Sequence, residues 1–168
     1  MKEAIVFAAE YHDLGKSRED WQRSIGNLYP HIPYAKSGNS KINPKGWGRG
    51  HAISYRHEFG SLLDVQKENN FNEFSTEIKE LILHIIASHH GYARPHFVEK
   101  FIRDPDYSYK DTREESFKAM CRYAKLQKKY GRWGLAYLES LLRAADWYAS
   151  ACPTRTGQKQ TDLKETTL

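Results

Sequence analysis

The sequence is poor in cysteine. Its only two, Cys121 and Cys152, form no CxxC pair and share no repeated spacing, which excludes a disulfide framework and makes a reducing cytoplasm the expected compartment. Both are expected to be ordinary buried thiols. Long hydrophobic runs are missing as well. The N-terminal stretch AIVFAA is short, is broken by Glu10 and has no small-residue cleavage site, so neither a signal peptide nor a membrane span is expected. No stretch alternates apolar and polar residues long enough to make a strand, which leaves an all-α domain as the expected class. No internal repeat and no second domain is visible. A strong excess of one charge sign is also absent: 26 Lys and Arg face 21 Asp and Glu. That mildly basic balance permits phosphate-rich partners without demanding them.

What is present is the composition of an ordinary globular protein, 39% hydrophobic and 28% charged over 168 residues. One domain of that size buries ~70% of its unfolded surface without staples. Helical periodicity predicts helices over 3–14, stopped near Gly15, and over 17–26, 51–69, 75–90, 112–130 and 132–151. Between the second and third lies a long basic loop, residues 27–50, with three prolines. Loops of that length in compact domains are often functional. The stretch from Pro153 lacks apolar periodicity and reads as a frayed tail or linker.

Residues 86–97, IASHHGYARPHF, end an apolar run in adjacent histidines, His89 and His90, followed by glycine. Neighbouring helical side chains point about 100° apart, so such a pair closes on one metal only at a helix end, where the backbone bends. Ile78, Leu81, Ile82, Ile85 and Ile86 make one stripe with His89 near its middle, and His84 falls on the opposite side. A lone inward histidine is usually satisfied by a carbonyl or a carboxylate. HDLGK, residues 12–16, shifts the balance. Asp13 could bridge two divalent cations, and Lys16, one turn on, could meet a substrate phosphate.

Two further helices carry candidates. In the helix over 51–69, Ala52, Tyr55, Phe59, Leu62 and Leu63 share one side, while His57 lies with Ile53, Gly60 and Ser61 on the other. That second side fits either a solvated face or the close approach of another element. In the last helix Asp146 sits on the shoulder of the stripe formed by Leu138, Leu141, Leu142 and Ala145. It is either paired with a cation such as Arg143 or a base on a neighbouring helix, or bound to metal. Imidazoles and carboxylates at the inner edges of several helices can converge on one bundle cleft.

Together these residues resemble the HD-domain superfamily of metal-dependent phosphohydrolases, and within it the HD nuclease of type I CRISPR interference, the nuclease part of a helicase-nuclease. HDLGK, YRHEFGSLL, SHHGYARP and LLRAADWYAS stand in that family's order and span residues 12–150. The resemblance implies an HD-domain helical bundle over residues 1–152 with a metal site in its central cleft, and residues 153–168 as a flexible tail or linker. It implies Asp13, His57, His89 and His90 as ligands of one metal, and His12, Asp13 and Asp146 as ligands of another, with Asp13 bridging. Asp13 and Lys16 are the implied catalytic residues, and Lys16 and Ser150 lie near the scissile phosphate.

The implied activity is metal-dependent cleavage of single-stranded DNA, which enters a cleft more easily than a duplex does. A helicase domain or subunit and the CRISPR surveillance complex are the implied partners, and no membrane is involved. Tyr92, Arg94, His96, Trp47 and Arg49 are candidates for guiding the strand, with Arg94 assigned to substrate binding. Three nitrogens and one carboxylate favour manganese, iron(II), cobalt or nickel over magnesium, with one or two ions per chain. One departure stands out: the family has a further histidine well before HD, and the eleven residues before His12 contain none. Either the chain is cut from a longer protein and lacks an N-terminal helix, or that site is weak, or His51 or His96 substitutes. The rival readings are an HD phosphohydrolase acting on nucleotides and a catalytically inactive nucleic-acid-binding HD module.

Overall fold

The computed structural model describes residues 1–35 and 55–152. The described residues are helical and contain no strand: α1 (Lys2–Tyr11), a 3-10 turn (Leu14–Ser17), α2 (Glu19–Ser24), α3 (His57–Asp64), 3-10 turns over Val65–Lys67 and Asn69–Glu73, α4 (Thr76–Ser88), a 3-10 turn (Glu99–Phe101) and α5 (Tyr109–Ala151). The all-α class holds. None of these helices is long and apolar enough to cross a membrane.

α4 is central because it is apolar nearly all round. Leu81 through Ser88 are all buried, and α1, α3 and α5 each pack against it. Ala4, Phe7 and Ala8 from α1, Phe59 and Leu62 from α3, and Leu138 and Leu142 from α5 complete one core. Each fully buried Leu, Ile or Phe contributes about 1.5–3 kcal/mol. Both long helices are capped by serine: Ser75 accepts from the Ile78 amide, and Ser108 from the Asp111 amide. Gly131, at φ 71° and ψ 169°, breaks α5 into two helical runs. That is the division expected between 112–130 and 132–151, and it rests on a backbone conformation only glycine adopts readily.

Several expected boundaries move. Of the helix expected over 51–69, whose residues 51–54 lie outside the description, the described part is helical from His57 and gives way to 3-10 turns at Val65, with Glu68 extended and consecutive asparagines favouring turns. Tyr55 therefore precedes the helix. It is buried nonetheless, since its hydroxyl donates to the Gly15 carbonyl at 2.8 Å. Gly60 and Ser61 are buried, so the side shared with His57 is a face of close approach and not a solvated one. The cysteines are not buried thiols: Cys121 is half-buried on the flank of α5, and Cys152 is exposed at its end. The basic-loop residues from 36 on, with Trp47, Arg49 and His51, and the tail 153–168 lie outside the described residues.

Candidate metal centre

α1 ends at Tyr11, which makes His12 its C-cap, and α4 ends at Ser88, which makes His89 the C-cap there. The last carbonyls of a helix lack partners within the helix. Each histidine uses this: Nδ1 of His12 lies 2.7 Å from the Ala9 carbonyl oxygen, and Nδ1 of His89 lies 2.6 Å from that of Ile86. A proton on Nδ1 fixes the tautomer and leaves Nε2 as the free lone pair. Both Nε2 atoms are buried and, among the described residues, without a hydrogen-bond partner. Gly91, at φ 86°, then turns the chain so that His90 can face the same space.

The third imidazole arrives on α3. The Leu14–Ser17 turn packs against the start of this helix so closely that a Cβ on Gly15 would lie 2.2 Å from the His57 carbonyl oxygen. The Gly15 amide donates to Ser61 Oγ at 2.9 Å, and that hydroxyl donates to the His57 carbonyl at 2.9 Å. This clamp brings His57 Nε2 to 3.5 Å from Asp13 Oδ1 and 3.1 Å from His90 Nε2. The other Asp13 oxygen lies 3.4 Å from His12 Nε2, which is itself 3.8 Å from Asp146 Oδ1.

Among the described residues two sets of ligand atoms lie within 4.8 Å of one another: His57, His89 and His90, and His12, Asp13 and His89. His89 belongs to both. Atoms about 2.0–2.2 Å from a common ion stand roughly 3.0–3.4 Å apart, so the spacings fit a divalent cation. The buried, unpartnered Nε2 of His12 and of His89 and Oδ1 of Asp13 fit it for the same reason.

The electrostatics agree. Burial, reinforced by His89, Lys16 and the other imidazoles, pushes His57 down to about 2, and burial pushes His89 down to about 3 with His90 adding to the effect. His90 is lowered as well, mainly by burial. These imidazoles are neutral at pH 7, which is the form that ligates metal.

Of the other sequence candidates, Lys16 Nζ lies 2.6 Å from Asp13 Oδ2 and 5.5 Å from the Trp21 ring centroid. Ser150 is exposed on α5, one turn beyond Asp146. Among the described residues Asp146 makes no ion pair with Arg143. Arg94 binds the buried Glu139 at 2.8 Å, and Glu139 also meets His84 Nε2 at 2.7 Å. His84 therefore faces away from the cluster, as its phase predicts, into a carboxylate. Tyr92 stacks under Arg56, whose guanidinium carbon is 4.0 Å from its centroid. His96 cannot stand in for the missing histidine: it is exposed and belongs to neither set, because its neighbour Phe97 takes the buried place.

Two residues next to the cluster were not among the candidates. Trp21 places its ring 5.9 Å from that of His57, and nothing in its sequence context signals this. Glu58 is wholly buried, with neither carboxyl oxygen hydrogen-bonded to a side chain among the described residues and its pKa raised by burial. Its only signal is its place beside His57.

A family model described as "Cas3, HD domain" matches residues 1–153. No curated protein and no solved structure matches the chain.

Proposed function

Because this chain belongs to the HD-domain family of Cas3, a family of CRISPR-associated hydrolases of the nuclease type, we propose that it hydrolyses phosphodiester bonds of single-stranded DNA in CRISPR antiviral interference. The observation that carries the reading is the convergence of imidazoles, the buried His89 at their centre, on one two-sided carboxylate, with Nε2 of His12, Nε2 of His89 and Oδ1 of Asp13 lacking a hydrogen-bond partner among the described residues. When bound, divalent ions supply Lewis acidity toward phosphate oxygens and acidify water, the chemistry such hydrolysis needs.

The chain's own residues do the rest. Asp13, His57, His89 and His90 would hold one ion, and His12, Asp13 and Asp146 would hold the other; the two Asp13 oxygens lie 3.4 Å from His12 Nε2 and 3.5 Å from His57 Nε2. The nitrogen-rich set favours manganese, nickel, cobalt or iron(II). Lys16, resting on Asp13, carries the charge that meets the scissile phosphate. Ser150 offers a hydroxyl one turn beyond Asp146, and Arg94 meets the strand with whatever donor capacity Glu139 leaves it. A helicase domain or subunit and the surveillance complex deliver the strand.

The test is cleavage of an end-labelled single strand by the purified chain with added manganese, against Asp13→Ala. Wild type is expected to cleave and Asp13→Ala to be inactive with an unchanged far-UV spectrum. Equal cleavage by the variant, or a nucleotide substrate preferred to the strand, would refute the reading.

A further inference from the structure

A histidine that ligates through Nε2 carries its proton on Nδ1, and that proton needs an acceptor to hold the ring in place. His12 and His89 meet the need with carbonyls three residues back, at Ala9 and Ile86. His57 cannot use the same device. It is the first residue of α3, and a helix N-terminus presents amide donors, not carbonyl acceptors.

The acceptor beside it is Glu58. Its Oε2 lies 3.7 Å from His57 Nδ1, and its Oε1 lies 3.9 Å from Arg56 Nε. Among the described residues neither oxygen has a side-chain hydrogen-bond partner, although the side chain is 0% exposed and only the amide of Glu58 itself acts on it from the backbone. A buried carboxyl with no side-chain partner is costly, so a group that close is held for an interaction that a small rotation completes. Glu58 is not itself a ligand: it belongs to neither set of converging atoms, and its carboxyl stands on the Nδ1 side of His57, whereas the cluster lies on the Nε2 side.

We propose that Glu58 is a positioning residue for the metal centre, accepting the Nδ1 proton of His57 and so fixing the tautomer and ring orientation with which Nε2 engages a cation. The inference rests on the metal-centre reading but not on the nature of the substrate.

The experiment measures manganese affinity by calorimetry on the full chain, for wild type, Glu58→Gln, Glu58→Ala and His57→Ala. Loss of an outer acceptor of this kind lowers metal affinity about 10–100-fold, the result expected for Glu58→Ala. Glu58→Gln keeps the volume and an acceptor oxygen without the charge, so its affinity should fall between Ala and wild type. A packing role alone would not give that order. Either Glu58 variant binding as tightly as wild type, or both equally weakened, overturns the proposal. Should Glu58→Ala fail to fold in metal-free melts, Gln against wild type decides, with equal affinity the overturning result. Wild type that binds no manganese sinks the metal centre and this inference together. Loss of binding in His57→Ala with none in the Glu58 variants sinks only this one.

Discussion

Gly15→Ala is the substitution that asks most of the structure. The added Cβ would meet the His57 carbonyl oxygen at 2.2 Å, the Ser61 amide at 2.8 Å and the Tyr55 hydroxyl at 2.8 Å. Two of these are backbone atoms of α3, so no side chain can swing aside. Relieving the first contact to 3.0 Å opens the turn from the helix by roughly 0.8 Å, and overpacking of this kind costs about 1–3 kcal/mol. The same opening stretches the Gly15 amide bond to Ser61 and the Tyr55 bond to the Gly15 carbonyl, now 2.9 and 2.8 Å. Each contributes about 0.5–1.5 kcal/mol. A total of about 3–5 kcal/mol lowers the melting temperature by roughly 10 °C or more in a domain of this size. His57 moves with α3, so manganese affinity falls as well. Gly134→Ala is the control: a Cβ there meets only Tyr130 Cβ at 3.6 Å, an ordinary contact, so a helical alanine should stabilise by about 0.5–1 kcal/mol. Thermal melts without metal, paired with manganese titration, measure both. Gly15→Ala melting within about 2 °C of wild type, or below Gly134→Ala by no more than that, would refute the close-approach argument.

His89→Ala should lose the tightly held metal after dialysis, by elemental analysis, while His84→Ala keeps it. His84→Ala should instead cost about 2–4 kcal/mol in urea melts, because Glu139, 3% exposed, loses one of its two partners; equal metal loss in both variants would dissolve the distinction. Acid should destabilise the metal-free protein. His57 and His89 have folded pKa values of about 2 and about 3, below the ordinary 6.5, so the unfolded chain takes up protons first as pH falls. Their contribution is complete above about pH 6.5 and declines toward pH 3 by about 1.4 kcal/mol per pH unit for each histidine. Urea melts in a chelator at pH 7 and pH 5 test the sign, and higher stability at pH 5 would reverse the assignment.

How far the sequence could be read follows from the range of the interactions. The α4 stripe is local, so its phase placed His89 inward and turned His84 away, and Gly131 announced the break in α5 by itself. The limits appear where a residue's surroundings come from far along the chain. Tyr55 is buried by a bond to Gly15, 40 residues earlier. Arg18 is buried against Asp104, 86 residues later, and Asp64, 46 residues later. A glutamate is expected at the surface, and only tertiary packing puts Glu58 behind His57. Arg94 reads as a free cation from its loop, and the structure gives it Glu139 on α5. The candidate ligand residues were legible because helix ends and small motifs mark them. Which of them share atoms was not, and there His89 stands in both sets while the sequence favoured Asp13 alone as the bridge.

The centre is assembled from helix ends of opposite polarity. α1 and α4 enter with their C-termini, where unpartnered carbonyls take the Nδ1 protons of His12 and His89 and turn both Nε2 atoms inward. α3 enters with its N-terminus, where the partial positive charge opposes protonation of His57 and works in the same direction as burial. His57 and His90 meet Nε2 to Nε2 at 3.1 Å, one ring donating and the other accepting, while Nε2 of His12 and of His89 have no such partner among the described residues. Asp13 can accept, but its nearer oxygen already holds Lys16, and its other oxygen has no partner. Among the described residues Nε2 of His12, Nε2 of His89 and Oδ1 of Asp13 are left buried and without a hydrogen-bond partner, an arrangement that a divalent cation satisfies. The polarity of three helix ends, more than any one side chain, makes this a cleft that could hold a metal.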